Sequence, residues 1–204
     1  MDKQITTAEQ TVSRAKEELL KEAKRIEEGT LYSSKSHFVA ASFWSNFHLV
    51  IGVITVMLAA IAGTAFAKSD GNVVGGILSI IIAALTSVMT FLNPNERASN
   101  HLSAGNSYDS LLNRVRIFRT IDCWREESDQ VLTEKLKYFS EQKEKINQSS
   151  PQIPWGAYVV ARRGIEAGEG SYEVDKENMN YKMRNQVPEA GGKMLPTDKP
   201  VEGR

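Results

Sequence analysis

Two uncharged apolar runs, separated by five residues, constrain this chain more than anything else in its sequence. Phe47–Ala67 reads FHLVIGVITVMLAAIAGTAFA, 21 residues whose only ionisable side chain is His48. Val73–Leu92 reads VVGGILSIIIAALTSVMTFL, 20 residues without a charge. At 1.5 Å rise per residue each run, as a helix, is roughly 30 Å long, the thickness of a bilayer's hydrocarbon core. Two core helices of a water-soluble domain are the alternative. A helix apolar on every face needs a protein coat around its whole circumference, and the rest of this chain is too charged to supply one. The runs therefore predict two transmembrane helices, 47–67 and 73–92. Lys68-Ser69-Asp70-Gly71-Asn72 joins them as a tight hairpin, with both chain ends on the same side.

Lys35 and Arg97 flank the spans on the side of the termini and Lys68 lies in the loop, so the positive-inside rule discriminates only slightly between orientations. Carrying five loop residues across a membrane is easier than carrying two charged segments. Both termini are expected in the cytosol. Phe43, Trp44, Phe47 and Phe91 stand at the cytosolic ends of the spans, where an interfacial aromatic belt would lie, although ordinary packing explains them equally.

Small residues recur at four-residue spacing in both runs: Thr55, Ala59, Gly63 and Ala67 in the first, Gly75, Ser79, Ala83 and Ser87 in the second. Antiparallel pairing would set Ala67 beside Gly75, Gly63 beside Ser79, Ala59 beside Ala83 and Thr55 beside Ser87. Small side chains let helix backbones approach closely where no hydrophobic force drives association. They predict either a tight hairpin or a seam between copies, unless they are simply the small residues that membrane helices commonly hold. A second stripe, Gly76, Ser79, Ala83, Thr86, Thr90 and Asn93, is the most polar face of either run. Ser79, Thr86, Thr90 and Asn93 are candidate pore-lining residues; alternatively the hydroxyls bond back to their own helix carbonyls. Neither run holds Asp, Glu, Lys or Arg, which argues against a proton relay, a voltage sensor or ion-coupled transport.

The flanks are charged but neutral in sum. Residues 1–43 carry seven acids and seven bases, 93–148 nine of each, and 149–204 eight of each. No segment is strongly basic, so nucleic acid is not an expected partner. The single cysteine, Cys123, excludes an intramolecular disulfide and a multi-cysteine zinc site, and the three histidines do not sit at a metal-ligand spacing. The polar first 43 residues hold no secretory signal peptide. No metal or cofactor is expected.

Residues 1–45 predict an amphipathic cytosolic helix. Ile5, Ala8, Val12, Ala15, Leu19, Ala23 and Ile26 follow steps of three or four, as in a short coiled coil. Gly29-Thr30 is a candidate interruption. Asn93-Pro94 marks a break after the second run. A long helix is then expected over 94–148, on the stripe Arg97, His101, Ala104, Tyr108, Leu111, Val115, Phe118, Leu132, Leu136, Phe139 and Ile146, with a bend or a second helix near Asp122–Asp129. Residues 149–176 form a C-terminal segment: Trp155–Glu166 is a short helix or strand, and Tyr172-Glu173-Val174 a candidate strand. Residues 177–204 are expected to be a disordered tail. The fold class is thus an all-α membrane protein, a two-helix hairpin above long cytosolic helices that form an oligomeric bundle. One chain offers these helices only a narrow core, and a homo-oligomer completes it.

Individual side chains off the spans carry little chemistry. His101 is expected to be a packed, hydrogen-bonded histidine, and Tyr108 a core aromatic whose hydroxyl finds a polar partner. Cys123 is expected buried and inert. Arg114, Arg116 and Arg119 form a basic group, with Arg162-Arg163 a second; both are candidates for an anion, nucleotide or lipid headgroup contact. Asp109, Asp122 and Glu126 stand within reach on the same helix, so intrahelical ion pairs are the simpler expectation.

The layout and a set of residues resemble the SLATT family of two-transmembrane proteins. His37…Ala41…Trp44 leads into the first span, and Glu96-Arg97…His101…Tyr108…Leu111-Leu112 follows the second. Gly164-Ile165-Glu166…Gly168-Glu169-Gly170…Tyr172 is similar to the family's C-terminal end. The resemblance covers roughly residues 1–170. It implies a non-enzymatic effector of bacterial anti-phage systems, held in the inner membrane and triggered by a nucleotide second messenger or a cytosolic sensor protein. Such an effector would open or assemble pores so that the infected cell dies. Arg97, His101 and Tyr108 are then structural motif residues, and no catalytic residue carries over. The competing expectation is a membrane-anchored scaffold or signal transducer that recruits a cytosolic partner. An enzyme is not expected, because no acid, base or metal constellation lies near the bilayer.

Overall fold

The computed structural model describes residues 2–67, 72–125, 128–170 and 172, with side chains from Arg14 onward. Among the described residues every regular element is helical. Helix α1, Asp2–Ala67, is one 66-residue rod, roughly 100 Å long at the standard rise. It continues through Gly29-Thr30, where an interruption was expected. The Thr30 hydroxyl donates to the Ile26 carbonyl at 2.6 Å, so its polar group is satisfied inside the helix, and the small Gly29 face lies against Lys143.

Helix α2, Asn72–Leu92, returns alongside the C-terminal half of α1. Its last turn ends at Asn93, whose backbone is left-handed (φ 42°, ψ 58°). Pro94 then opens α3, Pro94–Thr120, in the first helical turn, where its missing N–H leaves no bond unmade. The expected long helix over 94–148 is two helices. A 3-10 turn, Asp122–Trp124, buries Cys123, and Ser128 caps α4, Asp129–Ser149, by accepting from the Val131 N–H. Pro151 and Pro154 separate α4 from α5, Trp155–Glu166. The segment undecided between helix and strand is a helix. Val174 and the 177–204 tail lie outside the described residues.

Two zones follow along α1. Its N-terminal half packs on α3, α4 and α5 in a bundle whose core holds Ala23, Ile26, Leu111, Val115, Phe118, Cys123, Leu132 and Leu136. Phe139 closes on Phe118 edge to face, centroids 5.5 Å apart. Helix α5 lays Ala157 and Ala161 inward against α1, and Tyr158 beside Tyr32. Gly105 lets α1 and α3 approach: a Cβ there would stand 2.9 Å from the Phe38 ring.

The second zone is the hairpin of α2 with residues 47–67 of α1. Both helices are long and apolar enough to cross a membrane, and only 6% of each apolar stretch is buried. Ala62 on α1 and Gly75 on α2 are buried, and Ile51, Gly52, Thr55, Leu58 and Ala65 on α1 and Gly76, Leu78, Ile82, Leu85 and Met89 on α2 are half-buried. These define the seam within the hairpin.

Candidate functional site

The seam corrects the expected pairing of small residues. Gly75 is buried, with the Phe66 ring so close that a Cβ would lie 2.8 Å from it. Ala59, Gly63, Ala83 and Ser87 are exposed, and a Cβ on Gly63 would meet nothing within 4 Å. The seam mixes Ile51, Leu58, Leu78, Ile82, Leu85 and Met89 with the small residues Thr55, Ala62 and Gly75. The exposed small residues stand beside this seam, about 100° round each helix from the branched side chains that fill it. Periodicity alone did not distinguish the two faces, since both recur at three- to four-residue steps. The outward small face retains its other reading, a seam between copies.

The polar stripe also points outward. Ser79, Ala83, Thr86, Thr90 and Asn93 are all exposed. Ser79 donates to the Gly75 carbonyl at 2.9 Å, Ser87 to Ala83 at 2.7 Å and Thr90 to Thr86 at 2.9 Å. Such bonds make a hydroxyl tolerable in an apolar surround. The Thr86 hydroxyl has no hydrogen bond among the described residues. Asn93, at the base of the stripe, turns its amide onto the Glu96 carboxylate.

Beneath the hairpin lies a buried polar node. His37 of α1 and His101 of α3 are 1% and 4% exposed. Their Nδ1 atoms are 3.0 Å apart. One ring therefore carries its proton on Nδ1 and the other accepts it, which fixes one neutral tautomer of each. Tyr108 stacks on His37 with centroids 5.4 Å apart, and its hydroxyl donates to the Asn147 side chain on α4. Burial, and next the neighbouring His101, lower the His37 pKa to about 4. Burial, and next the Arg97 charge, lower that of His101. Burial raises the Tyr108 phenol, partly offset by a hydrogen bond with Ser150. The Ser34 hydroxyl donates to the Gly105 carbonyl at 3.4 Å beside this node. Three helices, α1, α3 and α4, are thus tied together by neutral side chains.

The pairing of two histidines 64 positions apart was missed from spacing. His37 and His101 each stood in a motif, but no local pattern gives the rotation of two helices about their axes. Among the described residues no group of three His, Cys, Asp or Glu side chains could hold a metal ion.

The basic group divides in the fold, and Glu126, one of the expected partners, lies outside the described residues. Arg119 reaches across to Glu27 on α1, with Nε–Oε2 at 2.5 Å and a second bond at 3.3 Å. Arg116 donates to Asn113 at 3.3 Å. Asp122 pairs with Lys135 of α4 at 3.5 Å, and Asp109 accepts from Asn113. Arg162 does pair within its helix, with Glu166 at 2.7 Å. Arg114 is exposed, beside a groove of about 420 Å³ between α3 and α4 lined by Ser103, Asn106, Ser110 and Tyr138. Of the three arginines it is the one that lines this groove.

The chain matches no protein-family model, no curated protein and no solved structure.

Proposed function

We propose that this chain is a membrane effector: a transmembrane hairpin with both termini in the cytosol that assembles with copies of itself and breaches the bacterial inner membrane. The observation that carries the reading is the exposure of two bilayer-length apolar helices, each apolar stretch 6% buried. In water that surface would be an aggregation liability far beyond a monomer's usual apolar patch. In lipid it is solvated. The resemblance noted above supplies the biological setting, an anti-phage, abortive-infection response to a nucleotide second messenger or a sensor protein.

A pore would require self-assembly. Two helices about 10 Å across cannot enclose a water-filled path, so a pore needs several copies. The outward face with Ser79, Ala83, Thr86 and Thr90 is the surface available for that assembly or for its lumen. Thr86, whose hydroxyl has no partner in its own chain among the described residues, is the first residue to test there. Induced expression should arrest growth and admit a membrane-impermeant dye. A cysteine at position 86 or 90 should react with a water-soluble thiol reagent only in the active state. Growth without dye entry would overturn the reading.

A scaffold is the second reading, favoured by one patch on the bundle end remote from the spans. Ile117, Ile121 and Trp124 are 50%, 52% and 71% exposed there. Harmless expression together with a stable cytosolic partner would favour it.

A further inference from the structure

At the junction of the hairpin and the bundle lies a cavity of about 560 Å³, inside the range of roughly 300–1,000 Å³ typical of small-molecule sites. Its walls change chemistry along one direction. Trp44, Phe91 and Leu92, from the ends of the two apolar helices, form the upper wall. Glu96, Arg97 and Asn100, from the first turns of α3, form the lower one, and the Pro151–Pro154 link between α4 and α5 closes the side. Phe91 is 87% exposed at its edge, and Phe43 and Trp155, each next in sequence to a lining residue, are 60% and 80% exposed. An apolar roof, a polar floor and an aromatic rim are what a cavity at a membrane–water interface would present.

The floor holds one cation and one anion that do not neutralise each other. The Arg97 Nε donates to the Leu92 carbonyl at 2.7 Å, and the guanidinium lies over the Trp44 ring at 5.2 Å. Those contacts fix its position. They leave its two terminal nitrogens without a hydrogen-bond partner among the described residues. Glu96 is the next residue along the helix. It takes the Asn93 amide on one oxygen and forms no ion pair with Arg97. Adjacent helix positions point about 100° apart, so the two groups line one cavity without meeting.

We infer that this cavity binds the headgroup of a zwitterionic phospholipid of the cytosolic leaflet, its phosphodiester on Arg97 and a primary ammonium on Glu96. A guanidinium with two free terminal nitrogens suits a phosphate, which accepts bonds on two oxygens at once. A primary ammonium can donate to a carboxylate, and a trimethylated one cannot. The acyl chains would then leave along Phe91, where the apolar surface begins. Bound there, the lipid bridges the α4–α5 link to the left-handed hinge at Asn93. This inference rests on the membrane-spanning reading above, so its test separates the two.

The experiment is native mass spectrometry of the full chain released from detergent with one phospholipid at a time, of identical acyl chains. The headgroups are phosphoethanolamine, phosphocholine and phosphoglycerol. The ethanolamine lipid should be retained about tenfold more than either of the others, the effect expected of one charge-assisted contact. Arg97→Gln should lower retention of the ethanolamine and choline lipids about tenfold, and Arg97→Lys should keep most of it. Helicity and melting of each variant show that it is folded. Glu96→Gln should reduce the ethanolamine-over-choline preference to about one. Soluble glycerophosphoethanolamine at millimolar concentration should not displace the lipid; equal displacement would mean a site for a soluble ligand and would overturn the proposal. Equal retention of all three lipids by the unaltered chain, or no change in Arg97→Gln, would overturn it while leaving the spans intact. Recovery of the chain from the cytosolic fraction without detergent would overturn the spanning reading itself.

Discussion

One helix, α1, obeys two opposite packing rules along its length. Between residues 23 and 41 it buries Ala23, Ile26, Thr30, Ser34, Ser36, His37, Ala40 and Ala41, a list with more small and polar residues than large apolar ones. Between residues 49 and 66 it exposes Leu49, Val50, Val53, Val56, Met57, Ile61 and Phe66, each at least half accessible. In the bundle α1 buries a few polar groups beside the apolar core, each satisfied by a partner, and the surface is charged. In the hairpin the large apolar groups are outside. A chain selected for water alone would have no reason to reverse the pattern partway along a continuous helix. The reversal falls at Phe43–Phe47, where three aromatic rings gather within 6.4 Å of one another. The lesson is that the environment around each half, rather than helix propensity, dictates which side chains that half buries.

The contrast breaks most visibly in the bundle. Phe118 is fully buried in the core that α1, α3 and α4 share. Phe118→Ala should cost about 3–5 kcal/mol, through lost burial and the cavity left behind. Chemical denaturation of the detergent-solubilised chain, read by tryptophan fluorescence, should show a lower midpoint. The same truncation at Phe91, 87% exposed, should leave that midpoint nearly unchanged.

Charge in the hairpin is the converse test. Ile80 is 71% exposed near the middle of α2. On a water-facing helix, Ile80→Arg would be close to neutral. Facing lipid, it should cost about 2.5–3.5 kcal/mol of insertion free energy and shift the chain out of the membrane fraction. Normal membrane recovery of this variant would mean that the exposed apolar face meets something other than hydrocarbon.

Much of this division could be read from the residues. The ends of the apolar runs match the ends of α1 and α2 at Ala67 and Leu92. The stripe from His101 to Phe118 is the buried face of α3. Pro94 marked a break because it lacks a donor. What could not be read depends on how one helix is turned against another. The make-up of the hairpin seam, the Arg119–Glu27 pair 92 positions apart and the His37–His101 contact all require that rotation, and a one-dimensional period contains none of it. Gly29 misled for a related reason. Glycine lowers helix propensity, but a neighbouring side chain fills its open face, and tertiary packing outweighs so small a local cost.

The histidine node gives the contrast a pH dependence. Both rings are neutral in the fold because burial penalises their charged forms, and His37 titrates at about 4. The facing groups are Arg97, a cation, and Tyr108, Ser34 and Asn147, which are neutral. Among the described residues no carboxylate pairs with either ring. The unfolded chain takes up protons near the ordinary value of 6.5, so between pH 6.5 and about 4 it binds more protons than the folded chain does. Stability from His37 is fully present above 6.5 and is lost as pH falls toward 4, by up to about 3 kcal/mol. Denaturation midpoints from pH 7.5 to 4.5 should fall accordingly. His37→Asn, which keeps a donor without the ionisable ring, should flatten the profile. An equally steep profile in that variant would assign the acid sensitivity to another group.

The smallest effect on the fold sharpens the comparison furthest. Gly63 faces outward from the hairpin, and Gly75 is buried within it. Gly75→Ala presses a methyl against the Phe66 ring, but that ring is half exposed and free to swing outward, so the cost to the hairpin should be under about 1 kcal/mol. Gly63→Ala adds a methyl in open space and replaces the poorer helix former, a gain of up to about 1 kcal/mol in a lone helix. The monomer fold should therefore tolerate both, as judged by helicity. Crosslinking in membranes then distinguishes what covers each face. If lipid lies on Gly63, the alanine variant should crosslink into the same species as the unaltered chain. If another copy lies there, the extra methyl forces the helices apart and the oligomer ladder shortens, while Gly75→Ala leaves it intact. A small residue that touches nothing in its own chain is informative for that reason: any effect of enlarging it reports the neighbour it meets in the assembly.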